Sequence, residues 1–93
     1  MQSRAADHYR IATEVLSQEV NGETVLLDLT GECYFSLNQV GTRIWQLLKS
    51  GQAVEKMLTV LQTEYEVGKE QLEKDMVDLL NKLLGAGLIE IRH

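Results

Sequence analysis

The stretch Thr24-Val25-Leu26-Leu27-Asp28-Leu29-Thr30-Gly31-Glu32-Cys33-Tyr34-Phe35-Ser36-Leu37-Asn38 decides the fold. Its first half, Thr24 to Leu29, is rich in Val and Leu and reads as a strand, and Thr30-Gly31-Glu32 supplies a turn. Cys33 to Leu37 then alternates with period two. That places Cys33, Phe35 and Leu37 on one face of a strand and Tyr34 and Ser36 on the other. At Asn38 the period becomes helical. Asn is a good N-cap, because its side-chain oxygen accepts from amides that the first helical turn leaves unpaired.

Working outward, Ile11 to Val20 is β-rich, with Val15, Leu16 and Val20 among Ser17, Gln18 and Glu19. Asn21-Gly22 follows at once and predicts a tight hairpin, since a type I′ turn needs positive φ at both central residues. The three runs make an antiparallel meander whose first and third strands are edges. Met1 to Arg10 show no period and read as a flexible N-terminal tail, leaving 11–93 as one domain. Downstream, Val40, Ile44, Leu47 and Leu48 recur at helical spacing as far as Ser50-Gly51, with Trp45 beside them as a core anchor whose indole N–H needs a backbone or water partner. A second helix over about Ala53 to Glu64 carries Val54, Met57, Leu58 and Leu61, and Tyr65 to Gly68 breaks it. A third runs from Lys69 to about Leu84. Gly85 and Gly87 end it, and Leu88-Ile89-Glu90-Ile91 is a short final strand. The expectation is an α+β, winged-helix-like domain: a three-stranded antiparallel meander followed by three helices.

The third helix shows more than a core stripe. Leu72, Met76, Leu79 and Leu83 stack on one face, and Leu80, Leu84 and Val77 widen the apolar sector to roughly 160°, where a core-facing stripe spans nearer 100°. Asp75, Asp78 and Lys82 line the opposite flank. The helix is either central and covered on two sides, or part of its sector is a docking surface. Its outward residues Glu70, Glu73, Lys74, Asp75, Asp78 and Lys82 carry four negative charges against two positive, and would be repelled by phosphates. Glu70–Lys74 and Asp78–Lys82, each with the acid four residues before the base, read as helix-stabilising pairs.

Composition agrees. The 93 residues hold 44% hydrophobic and 25% charged residues, an ordinary globular mix, and the formal charge of −5 argues against nucleic acid and against an anionic membrane surface. No run reaches the ~20 apolar residues of a membrane span, and no signal peptide is evident. A single cysteine without an internal partner fits a reducing cytoplasm. Catalysis has no visible constellation. His8 and His93 stand at the two ends, no Cys/His spacing suits a metal, and no phosphate-cradling glycine pattern occurs, so no enzyme activity, metal or cofactor is expected. Cys33, beside Phe35 and Leu37, reads as a small buried hydrophobe rather than a nucleophile.

The strand Cys33–Leu37 carries none of the charges, prolines or bulges that guard an exposed sheet edge. An unguarded edge is a template for an incoming strand, whose backbone bonds give affinity while side-chain pockets give selectivity.

Leu26 to Asn38, followed by Val40-Gly41-Thr42-Arg43-Ile44-Trp45, resembles the signature of PqqD-like proteins, also called RiPP recognition elements. The Gly51 break, the second helix ending at Glu64-Tyr65, and Leu79-Leu80, Leu83-Leu84 and Gly87-Leu88-Ile89 fit the same pattern, over about Val15 to Ile91. The resemblance implies a non-catalytic peptide chaperone. Such a domain holds the leader of a ribosomally synthesised precursor peptide as an extra strand beside the third strand, against the third helix, and presents it to a modifying enzyme. Carried onto this chain, the strand side is Cys33, Tyr34, Phe35 and Ser36. The helix side is Asp75, Asp78, Leu79, Lys82 and Leu83, with Met76 beneath. Tyr34 and Leu79 would line apolar pockets, Asp75 and Asp78 would meet basic leader side chains, and Lys82 an acidic one. The partner enzyme would be a radical S-adenosylmethionine enzyme in a pyrroloquinoline quinone pathway or a leader peptidase in a lasso-peptide pathway. Monomer and dimer stay open. A winged-helix interaction or dimerisation module, or a degenerate transcription factor, is the competing reading.

Overall fold

The computed structural model describes residues 8–29 and 33–92, Cys33 through its backbone alone. The meander consists of β2 (Val15–Val20), β3 (Glu23–Asp28) and β4 (Cys33–Leu37), preceded by a short β1 (Tyr9–Ile11). Three helices follow, α1 (Gln39–Lys49), α2 (Val54–Glu64) and α3 (Lys69–Gly85), and β5 (Ile89–Ile91) ends the order. The sheet runs β2-β3-β4, antiparallel throughout, with Leu16 opposite Leu27 and Leu27 opposite Tyr34. Asn21 and Gly22 turn the first hairpin with φ of 55° and 81°, the paired positive values that a type I′ turn requires. The expected turn at 30–32, the burial of the Cys33 thiol, His93 and residues 1–7 of the expected tail lie outside the described residues.

The tail reading extends too far. Tyr9 and Arg10, assigned to it from the sequence, belong to β1, which pairs with β5 in a second antiparallel sheet: Tyr9 opposite Ile91 and Ile11 opposite Ile89. Tyr9 is buried in the core, while Arg10 bonds Glu90 across the pair at 2.8 Å. The Ile11–Val20 run is likewise two strands, separated by a turn at Thr13-Glu14.

Asn38 caps α1 as its side chain predicts, accepting from the Gly41 N–H at 2.8 Å. Gly41 lets the helix start press onto the end of β4. A Cβ there would stand 3.2 Å from the Leu37 Cβ and 3.3 Å from the capping oxygen. Ile44, Trp45, Leu47 and Leu48 of α1 then bury against Leu26 of the sheet, Met57, Leu58 and Leu61 of α2, and α3. Trp45 is the expected core anchor, but among the described residues its Nε1 finds no hydrogen-bond partner, and neither does the buried Thr24 Oγ1.

The third helix is turned from the orientation its stripe suggests. Leu72, Met76, Val77, Leu80 and Leu83 are buried, whereas Leu79 and Leu84 are half-buried at the margins. The core therefore takes the Leu80/Val77 side of the wide apolar sector, and Leu79 is left at the border with Asp75, Asp78 and Lys82. Neither Glu70–Lys74 nor Asp78–Lys82 closes as an ion pair among the described residues. No helix among those residues is long and apolar enough to cross a membrane.

Candidate functional site

β4 has β3 on one side and, among the described residues, no strand on the other. On that open side lies a groove of about 440 Å³. Phe35, Ser36 and Leu37 form one wall. Asn38, Gly41 and the α1 side chains Val40 and Ile44 close one end, because the cap draws the helix tightly onto the strand. The opposite wall is α3, contributing Leu72, Asp75, Asp78, Leu79 and Lys82. Tyr65 and Val67, from the segment joining α2 to α3, complete it.

The groove is apolar along much of its wall and ionised on the α3 side. Asp75 accepts from Gln71 Nε2 at 2.9 Å, one turn back on the same helix. The side chains of Asp78 and Lys82 make no hydrogen bond or ion pair among the described residues, so both can engage a guest. An edge strand offering unpaired backbone groups, apolar walls and opposed charges on one rim can hold an extended peptide. Among the described residues no three His, Cys, Asp or Glu come together as a metal site.

Of the residues expected to form the site, Phe35, Ser36, Asp75, Asp78, Leu79 and Lys82 line this groove, and Cys33 contributes the backbone of the same edge. Three others do not face it. Met76 and Leu83 are fully buried, because they lie with Leu72 on the stripe of α3 that faces the core. Tyr34 is 68% exposed on the other face of the sheet, where strand alternation puts it beside Leu16, Val25 and Leu27 in a second, shallow apolar depression. Tyr65 and Val67 escaped the sequence reading. They sit in a connector without periodicity, and the available signal is an aromatic and a β-branched residue between two helices, where polar residues are the rule.

Arg43 and Glu64 tie the groove's surroundings together. The Arg43 guanidinium donates to both Glu64 carboxylate oxygens, Nε at 2.9 and 3.1 Å and Nη2 at 2.9 Å. These bonds hold the Glu64 carboxyl below its ordinary range and raise the Arg43 guanidinium further, partial burial opposing both effects.

Comparison with known proteins places this geometry. The family model described as coenzyme PQQ synthesis protein D matches residues 23–89. No curated protein matches the chain. Two solved structures do. TbiB1 in complex with the TbiA(beta) leader peptide is 36% identical, with a TM-score of 0.84 over 90% of this chain and 98% of the other. Lasso peptide synthetase B1 complexed with the leader peptide is 28% identical, with a TM-score of 0.79 over 87% of this chain and 95% of the other. With most of its length inside the family model and its fold shared with two leader-peptide complexes, this chain belongs to the PqqD family.

Proposed function

We propose that this chain binds the leader of a ribosomally synthesised precursor peptide, as an added strand on the open edge of β4, and presents it to a modifying enzyme without performing catalysis itself. The observation that carries the reading is the groove between that edge and α3, walled by apolar side chains and rimmed by Asp75, Asp78 and Lys82. The added strand takes its backbone bonds from Cys33 to Ser36 and sets alternate side chains against Phe35, Leu79, Tyr65 and Val67. Asp75 and Asp78 meet basic side chains of the leader, and Lys82 an acidic one. The likeness to two leader-peptide complexes supports the ligand class, and the likeness to a lasso peptide synthetase B1 favours a lasso-type pathway over a quinone-cofactor one. In that setting the partner is a leader peptidase, and the site of action is the cytoplasm.

The direct test is titration of the folded protein with the leader of the precursor encoded beside its gene, with the TbiA(beta) leader as a second probe. Binding with Kd at or below about 10 µM, near −7 kcal/mol, is expected. A folded protein that takes up neither peptide at tens of micromolar overturns the reading.

A further inference from the structure

A chain of polar contacts runs from the sheet across α1 to the last residue of α2. Gln46 Nε2 donates to Glu19 Oε2 on β2 at 2.6 Å, and Arg43 Nη1 donates to Gln46 Oε1 at 3.1 Å. The other side of the Arg43 fork then grips Glu64. Three elements are thereby joined: β2, α1 and the C-terminus of α2.

The far end of the chain stops one residue short of the groove. Glu64 closes α2, and Tyr65 leaves the helix in extended conformation, at φ −128° and ψ 139°, to become a groove wall. The last turn of α2 contains no basic residue, so the cation that complements this helix end comes from α1, as Arg43. Beyond it, the connector is anchored at its ends. The Tyr65 N–H donates to the Leu61 carbonyl at 2.9 Å, and the Gly68 carbonyl accepts from Leu72 at 2.9 Å. Between those anchors stand the two side chains that face the groove, Tyr65 and Val67.

We propose that Arg43 and Glu64 are positioning residues of the groove: their fork fixes the end of α2, holds Tyr65 against the peptide path, and so sets which side chains the wall accepts. The proposal takes its ligand from the leader-binding reading, but its geometry stands apart from it. Both partners are about one-third exposed, and exposed pairs contribute little to global stability. The fork therefore acts locally, on the connector. A planar guanidinium holding both carboxylate oxygens also fixes direction, which a lysine ammonium on a flexible stem does not.

A double-mutant cycle between Arg43→Met and Tyr65→Ala tests this, with affinity for the fluorescently labelled leader of the neighbouring precursor as one readout and Tyr65 ring resonances of the free protein as the other. Arg43→Met is expected to weaken binding about fivefold in the parent and less than about twofold in the Tyr65→Ala background, the signature of two coupled residues. The Tyr65 ring resonances shift in Arg43→Met, and Arg43→Lys restores neither readout. The exchanged pair Arg43→Glu with Glu64→Arg recovers both. Glu64→Gln, which keeps the shape and removes the charge, guards against misfolding of the bolder variants and is expected to behave as Arg43→Met does. Independent, multiplying effects of Arg43→Met and Tyr65→Ala overturn the proposal, as do unchanged Tyr65 resonances. If the parent takes up no leader, the leader reading fails, while the positioning role is still decided by the resonances of the free protein.

Discussion

Tyr34 and Phe35 are neighbours in β4 and serve opposite surfaces: Tyr34 stands 68% exposed on the outer face of the sheet, while Phe35 is half-buried and walls the groove. Phe35→Ala should therefore weaken leader binding tenfold or more, and should also cost about 3 kcal/mol or less of stability because the site is only partly enclosed. Tyr34→Ser should leave affinity within about twofold and stability within about 0.5 kcal/mol. Fluorescence anisotropy and urea melts on both variants check this. Equal losses of affinity would remove the distinction between the two faces.

On the α3 wall, Leu79→Asp puts a charge where an apolar guest side chain would rest. A loss of affinity of about tenfold is expected, with a folded protein by circular dichroism. Lys82→Glu reverses a charge that has no partner among the described residues, so a loss of about three- to tenfold is expected, shrinking as salt is raised. If both variants bind like the parent, α3 is not part of the peptide site.

The start of α1 sets one end of the groove through two small features. Asn38→Ala removes the bond to the Gly41 N–H and should cost about 1 kcal/mol in urea unfolding. Gly41→Val drives a branched side chain into Leu37 and the capping oxygen, and should cost about 1–3 kcal/mol. A valine tolerated there without loss would show that the helix does not need its close approach to β4.

The pH dependence follows from Glu64. Its carboxyl is held below the ordinary range in the folded protein by Arg43, so the stabilisation is complete above the unfolded-state value and is lost as pH falls through the folded one. Glu64→Gln should be slightly less stable than the parent near neutrality, the difference shrinking as pH falls through the folded-state value of Glu64 and its carboxylate takes up a proton. Urea midpoints compared across that range provide the measurement, and a constant gap at every pH would rule out the ion pair as the cause.

Local chemistry was readable where a feature depends on a few adjacent residues. Asn21-Gly22 dictates its own turn, Asn38 its own cap, and the alternation Cys33–Leu37 its own strand faces, so the meander and the helix starts follow from the sequence. Pairing over distance was not. β1 is three residues long with Arg10 in its middle, and Glu90, the residue Arg10 bonds, lies 80 positions away. Its short run gives no period to detect. In α3 the hydrophobic pattern defines a sector wider than one contact face, and only the neighbouring elements decide that Leu80 turns inward while Leu79 stays at the rim. Met76 and Leu83, on the stripe itself, are buried and lie outside the candidate site. Tyr65 and Val67 were invisible to periodicity because they belong to a connector, where position comes from the helix ends on either side.

The β1–β5 pair brings the described chain in and out at one place: the Arg92 N–H donates to the His8 carbonyl at 3.1 Å. Entry and exit are thus neighbours, on a ribbon separate from the sheet that carries the β4 edge. A unit wired this way can be spliced into a surface loop of a larger polypeptide, or have its ends relinked and reopened elsewhere, while the β4 edge is left undisturbed.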